Sequence, residues 1–256
     1  MKYPFSFIEL SRLPDKPRKL GITSLLDKGL DNTRTKHLLE LYGDYIDVVK
    51  LGFGTARLIP REQLMQKISL LTSAETMVCP GGTFFEIAFH RNQVAQYLDE
   101  CKLLGFNAIE ISDGVKPIEL AQRVKFINQV QAAGFKVFVE IGRKNQQEDR
   151  AFSMKERIHE AETFMECGVE KIILEARESG NVGIFDSNMQ VNVEEFEQLI
   201  ARVEPKQLIF EAPHKHQQAW LINKLGSEVN LGNIAPDDIL PVTCLRLGLR
   251  ADTIKL

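Results

Sequence analysis

The chain has no apolar run of about 18 or more residues in its 256 positions, so the sequence signal of a membrane-spanning helix is missing. Its first residues, MKYPFSFIELSRLPDKPRKL, lack the continuous apolar stretch of a signal peptide. Its four cysteines, Cys79, Cys101, Cys167 and Cys244, form no CxxC pair, which argues against a disulfide framework or a zinc ribbon and predicts reduced thiols and a cytoplasmic location. His214 and His216 have no nearby cysteine or third histidine, so they make no zinc site. No G-x-G-x-x-G follows the first predicted strand, which disfavours an open dinucleotide-binding sheet. Neither Ser112 nor Ser179 lies in a G-x-S-x-G elbow, which disfavours a serine hydrolase. A net charge of −3 gives no general attraction for nucleic acid. No Pro/Gly/Ser-rich linker divides the chain, so one domain spanning 1–256 is expected, with a short N-terminal extension over 1–18.

Against these absences one pattern recurs. Four short apolar runs each end in a glutamate followed by a polar or glycine-bearing turn: AIEISDG (Glu110), VFVEIGRK (Glu140), IILEARESG (Glu175) and LIFEAPHK (Glu211). The spacing is roughly 30 to 36 residues, about one βα unit. Carboxylates carried repeatedly to the tips of buried strands are costly unless a divalent cation or a protonated lysine uses them.

Short β-rich runs alternate with longer amphipathic ones along the whole chain. Strands are predicted near 20–24, 46–51, 76–79, 107–111, 136–141, 170–175, 207–211 and 228–231. Eight such runs in about 250 residues predict an α/β fold, a (β/α)8 TIM barrel. Helical periodicity runs through 85–104 and 151–166. Gly105, Gly134 and Gly168 each stand between a helix and a strand, as glycines that end helices do. The segment 180–203 is longer than a simple crossover, which predicts a lid or binding loop. Trp220 is expected to pack a helix onto the barrel.

The turns KPRKLGIT, LLDKG, DYIDVVKLGFGT, PGGTFFE, EISDG, EIGRK, EARESG, IFEAP, VNLGNI and LRLGLRADT together resemble the phosphosulfolactate synthase family. The resemblance runs from about residue 15 to 254. It implies a (β/α)8 barrel, a Mg2+ cofactor, and addition of sulfite to phosphoenolpyruvate to give phosphosulfolactate, a lyase step toward coenzyme M. The family also includes a plant heat-stress protein. Two departures stand out: Ser24-Leu25-Leu26 precedes Asp27 where the family often has Met-Val-Leu, and Gly232 stands where it often has alanine. Neither removes a charged group.

That chemistry would gather three anionic groups in one site, so cations and a metal should dominate it. Glu110, Glu140 and Glu175 are the metal-ligand candidates, with Glu211 a weaker fourth; the same residues could instead form ion pairs with Lys50, Arg143 or Arg177. The resemblance favours Lys144 over Arg143 as the acid that protonates carbon 2. A lysine among cations in a dry site has a lowered pKa suited to that task. Arg143 and Lys50 are candidates to hold sulfite or the substrate carboxylate. Phosphate is expected near the loops after the last two strands, against Asn230, Gly232 and Asn233. Arg246 and Arg250 could assist it or pair with Asp237, Asp238 or Asp252. Arg177 and Ser179, in the RES turn, supply a further cation and hydroxyl. Gly81, Gly82 and Thr83 let backbone approach a ligand or simply make a tight turn, and Lys28 shares that ambiguity. Asp113 reads equally as a helix cap or turn former. The partners expected are the two small-molecule substrates and further copies of the chain in a homo-oligomer, with neither nucleic acid nor membrane. The alternatives are a related barrel enzyme acting on another phosphorylated three-carbon acid, and a non-catalytic stress-related homologue.

Overall fold

In the computed structural model, which describes residues 4–10 and 13–254, strands and helices alternate. The order is β1 (Thr23–Asp27), α1 (Asn32–Tyr42), β2 (Val48–Leu51), α2 (Arg61–Ser73), β3 (Met77–Pro80), α3 (Gly82–His90), α4 (Val94–Leu104), β4 (Ala108–Ile111) and α5 (Leu120–Ala132). It continues with β5 (Lys136–Ile141), α6 (Gln146–Ala151), α7 (Met154–Glu166), β6 (Lys171–Leu174), α8 (Val193–Ile200), β7 (Leu208–Glu211), α9 (Lys215–Leu225), β8 (Leu231–Ile234) and α10 (Ile239–Arg246). The strands lie in the order β3-β2-β1-β8-β7-β6-β5-β4, every ladder parallel. This is a nearly closed (β/α)8 TIM barrel. At the seam between β3 and β4 a side chain replaces the ladder: Asn107 Oδ1 accepts the Val78 N–H at 2.7 Å and its amide donates to the Thr76 carbonyl at 3.1 Å.

The two-residue period of a strand decides what enters the barrel. Ile22, Val48, Cys79, Ala108, Phe138, Ile173 and Ile209 fill the interior as one apolar cluster. The intervening residues, among them Val49, Ile109, Val139, Ile172 and Phe210, face the helices in a second, larger cluster. Truncating Phe138 to alanine would open a void in the inner layer at a cost of about 3–5 kcal/mol. Two residues beyond Val48, Ala108, Phe138, Ile173 and Ile209 come Lys50, Glu110, Glu140, Glu175 and Glu211. The period that packs the floor therefore also delivers the charged groups above it.

Two sequence expectations shift. β1 and β8 begin about three residues later than predicted; just before β1, the Ile22 N–H is taken by Asn230 Oδ1 rather than by a neighbouring strand. The helix predicted over 85–104 is two helices, broken where Asn92 adopts a left-handed φ of 54°. The segment ahead of α8 folds on itself. Phe185 bridges Val191, and Asp186 Oδ1 holds the N–H groups of Asn188 and Gln190.

Gly105 caps α4 at φ 91°, and Gly134 and Gly168 follow α5 and α7 at φ 91° and 70°. Trp220 packs edge-on against Phe196 of α8 at 4.8 Å. No helix among the described residues is long and apolar enough to cross a membrane.

Candidate active site

The carboxyl ends of the strands open onto a cavity of about 350 Å³ whose lining includes Lys50, Glu110, Glu140, Lys144, Glu175 and Glu211. That is enough for a small phosphorylated acid and little more. Lys50 rises from β2 in the middle of the floor. Its Nζ lies 2.8 Å from Glu211 Oε1, 3.3 Å from Glu110 Oε2 and 3.8 Å from Glu140 Oε2. Lys144 enters from the loop after β5, with its Nζ 2.9 Å from Glu140 Oε1 and 3.3 Å from Glu175 Oε2.

A fifth carboxylate completes the set, and no strand carries it. Glu86 of α3, 2% exposed, lies 3.4 Å from Lys144 Nζ and accepts from the Ser112 hydroxyl at 2.8 Å and the Val115 N–H at 2.8 Å. Glu140 Oε1 lies 2.7 Å from the same hydroxyl, whose single hydrogen serves one of the two carboxylates at a time. The sequence signal for Glu86 was a lone charge inside the apolar run FFEIAF.

Five buried carboxylates facing two ammonium groups set the electrostatics. Burial disfavours the charged form of Lys144, but Glu140, Glu175 and Glu86 outweigh it and hold its pKa well above the ordinary lysine range. The expectation of a lowered lysine pKa is thereby overturned, because the neighbours of Lys144 are anions. Lys50 is raised for the same reason, against its own burial, by Glu110, Glu211 and Glu140. Burial pushes Glu110 up to about 7 despite Lys50. Glu175 is also pushed up, by burial and then by the charges of Glu140 and Glu211. Glu140 is held below the carboxylate range, since Lys144 and Lys50 together overcome its burial.

The carboxylates that group as ligands differ from those expected. One oxygen each of Glu140, Glu175 and Glu211 lies within 4.8 Å of the others, so the cluster spans β5 to β7 and Glu211 takes the place assigned to Glu110. Glu110 Oε1 instead accepts the Gly82 N–H at 2.8 Å. Glu175 Oε2 is buried, with the Lys144 ammonium 3.3 Å away. An all-oxygen donor set fits a hard divalent cation, so this buried triad could hold a metal.

Other expected residues separate by position. Gly81, Gly82, Thr83, Arg177, Ser179 and Asn233 line the cavity. Gly82 admits no side chain, because a Cβ there would sit 2.5 Å from Ser112 Cβ and 2.7 Å from Glu110 Oε1. Asn233 has a left-handed φ of 56° and a buried Oδ1 without a hydrogen-bond partner. Gly232 packs against Ile209 beneath it, where a Cβ would approach to 2.9 Å. Lys28 reaches from the loop after β1 to pair with Glu178 at the cavity rim. Leu26, Gly52 and Phe53 also line the cavity and were not anticipated.

Four expected residues stand elsewhere. Asn230 precedes β8, and its side chain ties Ile22 N, Lys206 O and Leu208 O at the amino end of the barrel. Arg246, at the far end of α10, donates to the carbonyls of Ser227, Val229 and Ile22 there. Arg250 is near Asp252 on the surface. Arg143 turns away from the cavity: its Nη1 donates to Asp113 Oδ1 at 2.8 Å and its guanidinium stacks on Phe152. Asp113 is no simple cap, since it is fully buried and also binds Arg123 at 3.1 Å. His214 and His216 stack on each other and bond to the carbonyls of Ser179 and Met189.

Residues 11–252 match the family model described as (2R)-phospho-3-sulfolactate synthase (ComA). The chain is 41% identical over 234 residues to a phosphosulfolactate synthase of Methanocaldococcus jannaschii, covering 91% of this chain and 93% of that one. It is 39% identical over 240 residues to a phosphosulfolactate synthase of Methanothermobacter thermautotrophicus, covering 93% of each. Among solved structures, a 3-hexulose-6-phosphate synthase superposes with a TM-score of 0.54 over 88% of this chain and 98% of that one, at 12% identity; it speaks for the barrel alone. The chain belongs to the (2R)-phospho-3-sulfolactate synthase family of enzymes.

Proposed function

We propose that the chain adds sulfite to carbon 3 of phosphoenolpyruvate, with Mg2+ held by Glu140, Glu175 and Glu211. The observation that carries this reading is the Lys144 ammonium set 2.9 Å and 3.3 Å from two members of that triad. A proton donor and a cation site then face one small cavity.

The sulfur lone pair forms the C–S bond at carbon 3, and the alkene electron pair moves toward carbon 2 and the carboxylate. A proton from Lys144 Nζ closes the step at carbon 2, leaving a neutral amine that recovers its proton from solvent. Lys50, fixed by three glutamates, is a stationary positive charge in the cavity floor. Arg177 and Lys28 lie where a phosphate or sulfite would enter. A divalent cation would supply charge against the developing negative carboxylate, and would offset the same glutamates that hold the Lys144 proton. Asn233 Oδ1, buried without a hydrogen-bond partner, offers a neutral acceptor.

Loss of phosphoenolpyruvate, followed while sulfite or magnesium is left out in turn, tests the reading. Consumption only with both supports it. Consumption without sulfite, or none by folded protein, rejects it.

A further inference from the structure

One buried carboxylate outside the cavity touches both loops that carry the proposed machinery. Asp149 of α6 is 5% exposed. Its Oδ1 accepts the Arg143 N–H at 2.8 Å and Arg157 Nη2 at 2.7 Å, and its Oδ2 accepts the Gly183 N–H at 2.7 Å. These donors come from the loop after β5, from α7 and from the loop after β6.

The two backbone donors are the informative ones. Arg143 immediately precedes Lys144, whose N–H donates to the Gly114 carbonyl and whose own carbonyl accepts Arg177 Nη1, each at 2.9 Å. Gly183 lies so close to Glu175 that a Cβ would fall 2.1 Å from the Glu175 carbonyl oxygen. On the other side Gly142 also crowds Glu175, with a Cβ placed 2.6 Å from Glu175 Cβ. Glu175 is thus wedged between two loops with no room for a methyl group. Arg157 steadies the carboxylate in turn, also donating to the Asp149 carbonyl at 2.8 Å and the Phe152 carbonyl at 3.2 Å. The guanidinium groups of Arg143 and Arg157 stack on the Phe152 ring at 4.4 Å and 4.8 Å.

We infer that Asp149 is a positioning residue, which sets the separation of the Lys144 ammonium and the Glu175 carboxylate by tying the loop after β5 to the loop after β6. The inference rests on the reading of Lys144 as proton donor. Displacements well under an ångström at a reacting pair alter rates far more than they alter binding.

Asp149→Asn keeps the shape but turns an amide N–H2 toward at least one of three donors. Amide hydrogen exchange at Arg143 or Gly183, whichever N–H then meets the amide N–H2, should accelerate about tenfold or more, with Ile109 on β4 unchanged. Turnover should fall about 10–100-fold while KM moves less than about threefold. In a Lys144→Ala background the same substitution should cost less than about threefold more, since both act through one group. A residue serving stability alone would lower the melting temperature and leave the turnover of folded enzyme intact. Unchanged exchange at both amides, unchanged kcat beside a slow Lys144→Ala enzyme, or fully multiplicative losses would overturn the inference. If Lys144→Ala turns over at the parent rate, the functional reading fails instead, and exchange still decides whether Asp149 joins the loops. Should Asp149→Asn not fold, Asp149→Glu keeps the charge for Arg157 and displaces the loops, with the same expected outcomes.

Discussion

The Lys144 ammonium lies 2.9 Å from the Glu140 carboxylate four residues earlier, so one short segment of chain supplies both the proposed acid and one wall of the proposed metal site. The pair spans the turn from β5 into its loop. Glu175 and Glu86 approach the same ammonium from β6 and α3, and the proton on Lys144 is therefore firmly held.

Replacing that lysine separates chemistry from folding. Lys144→Ala should lower turnover by about 10²–10⁴-fold, the usual contribution of a positioned proton donor. The far-ultraviolet circular dichroism spectrum should stay unchanged. Parent-level turnover in the variant would remove Lys144 from the reaction.

Glu110 predicts a pH dependence of stability. Its carboxyl is raised from 4.5 to about 7, so across that window the folded state keeps a proton that the unfolded state has lost. Stability from this group is fully present below pH 4.5 and is lost as pH rises to about 7. The integrated effect is on the order of 3 kcal/mol. Metal-free Glu110→Gln, unfolded by urea at about pH 5 and pH 8, should show a smaller decline with pH than the parent; an equal decline would show that Glu110 ionises normally.

Metal binding should be visible as stability. With magnesium at about 100 times its dissociation constant, the folded state should gain about 2.7 kcal/mol, read as a rise in melting temperature that a chelator reverses. Glu175→Gln should abolish most of that rise. An unchanged rise in the variant would place the ion elsewhere.

Lys144, in the loop after β5, stood out only through the family resemblance, whereas four of the site's carboxylates and Lys50 were legible because strand geometry writes them into the sequence: an apolar run, a charged residue at its end, and a period of two that points it inward. Glu86 was not, because its helix enters the cavity from the side and only a tertiary view shows Ser112 and Lys144 beside it. Asn230 was drawn toward the phosphate site by a strand boundary placed too early. With β8 starting at Leu231, Asn230 falls at the amino end of the barrel, where Arg246 on the returning α10 also lies. Arg143 and Lys144 adjoin in sequence, yet the turn after Gly142 sends one outward to Asp113 and the other into the cavity.

The close approach of α3 to β4 allows a test without touching a charge. Gly82→Ala would drive a methyl group into Ser112 and Glu110, displacing the Glu110 carboxylate from the Gly82 N–H. Overpacking of this kind should cost about 1–3 kcal/mol. Activity should fall with it, and a variant as stable and active as the parent would show that the cavity wall yields.

Product analysis bears most directly on the central claim. Phosphoenolpyruvate, sulfite and magnesium incubated with the enzyme in deuterium oxide should give one product that retains phosphate, carries a sulfonate on carbon 3 and has one deuterium on carbon 2. Release of inorganic phosphate, or a product without sulfur, would contradict the assignment of this cavity to carbon–sulfur bond formation.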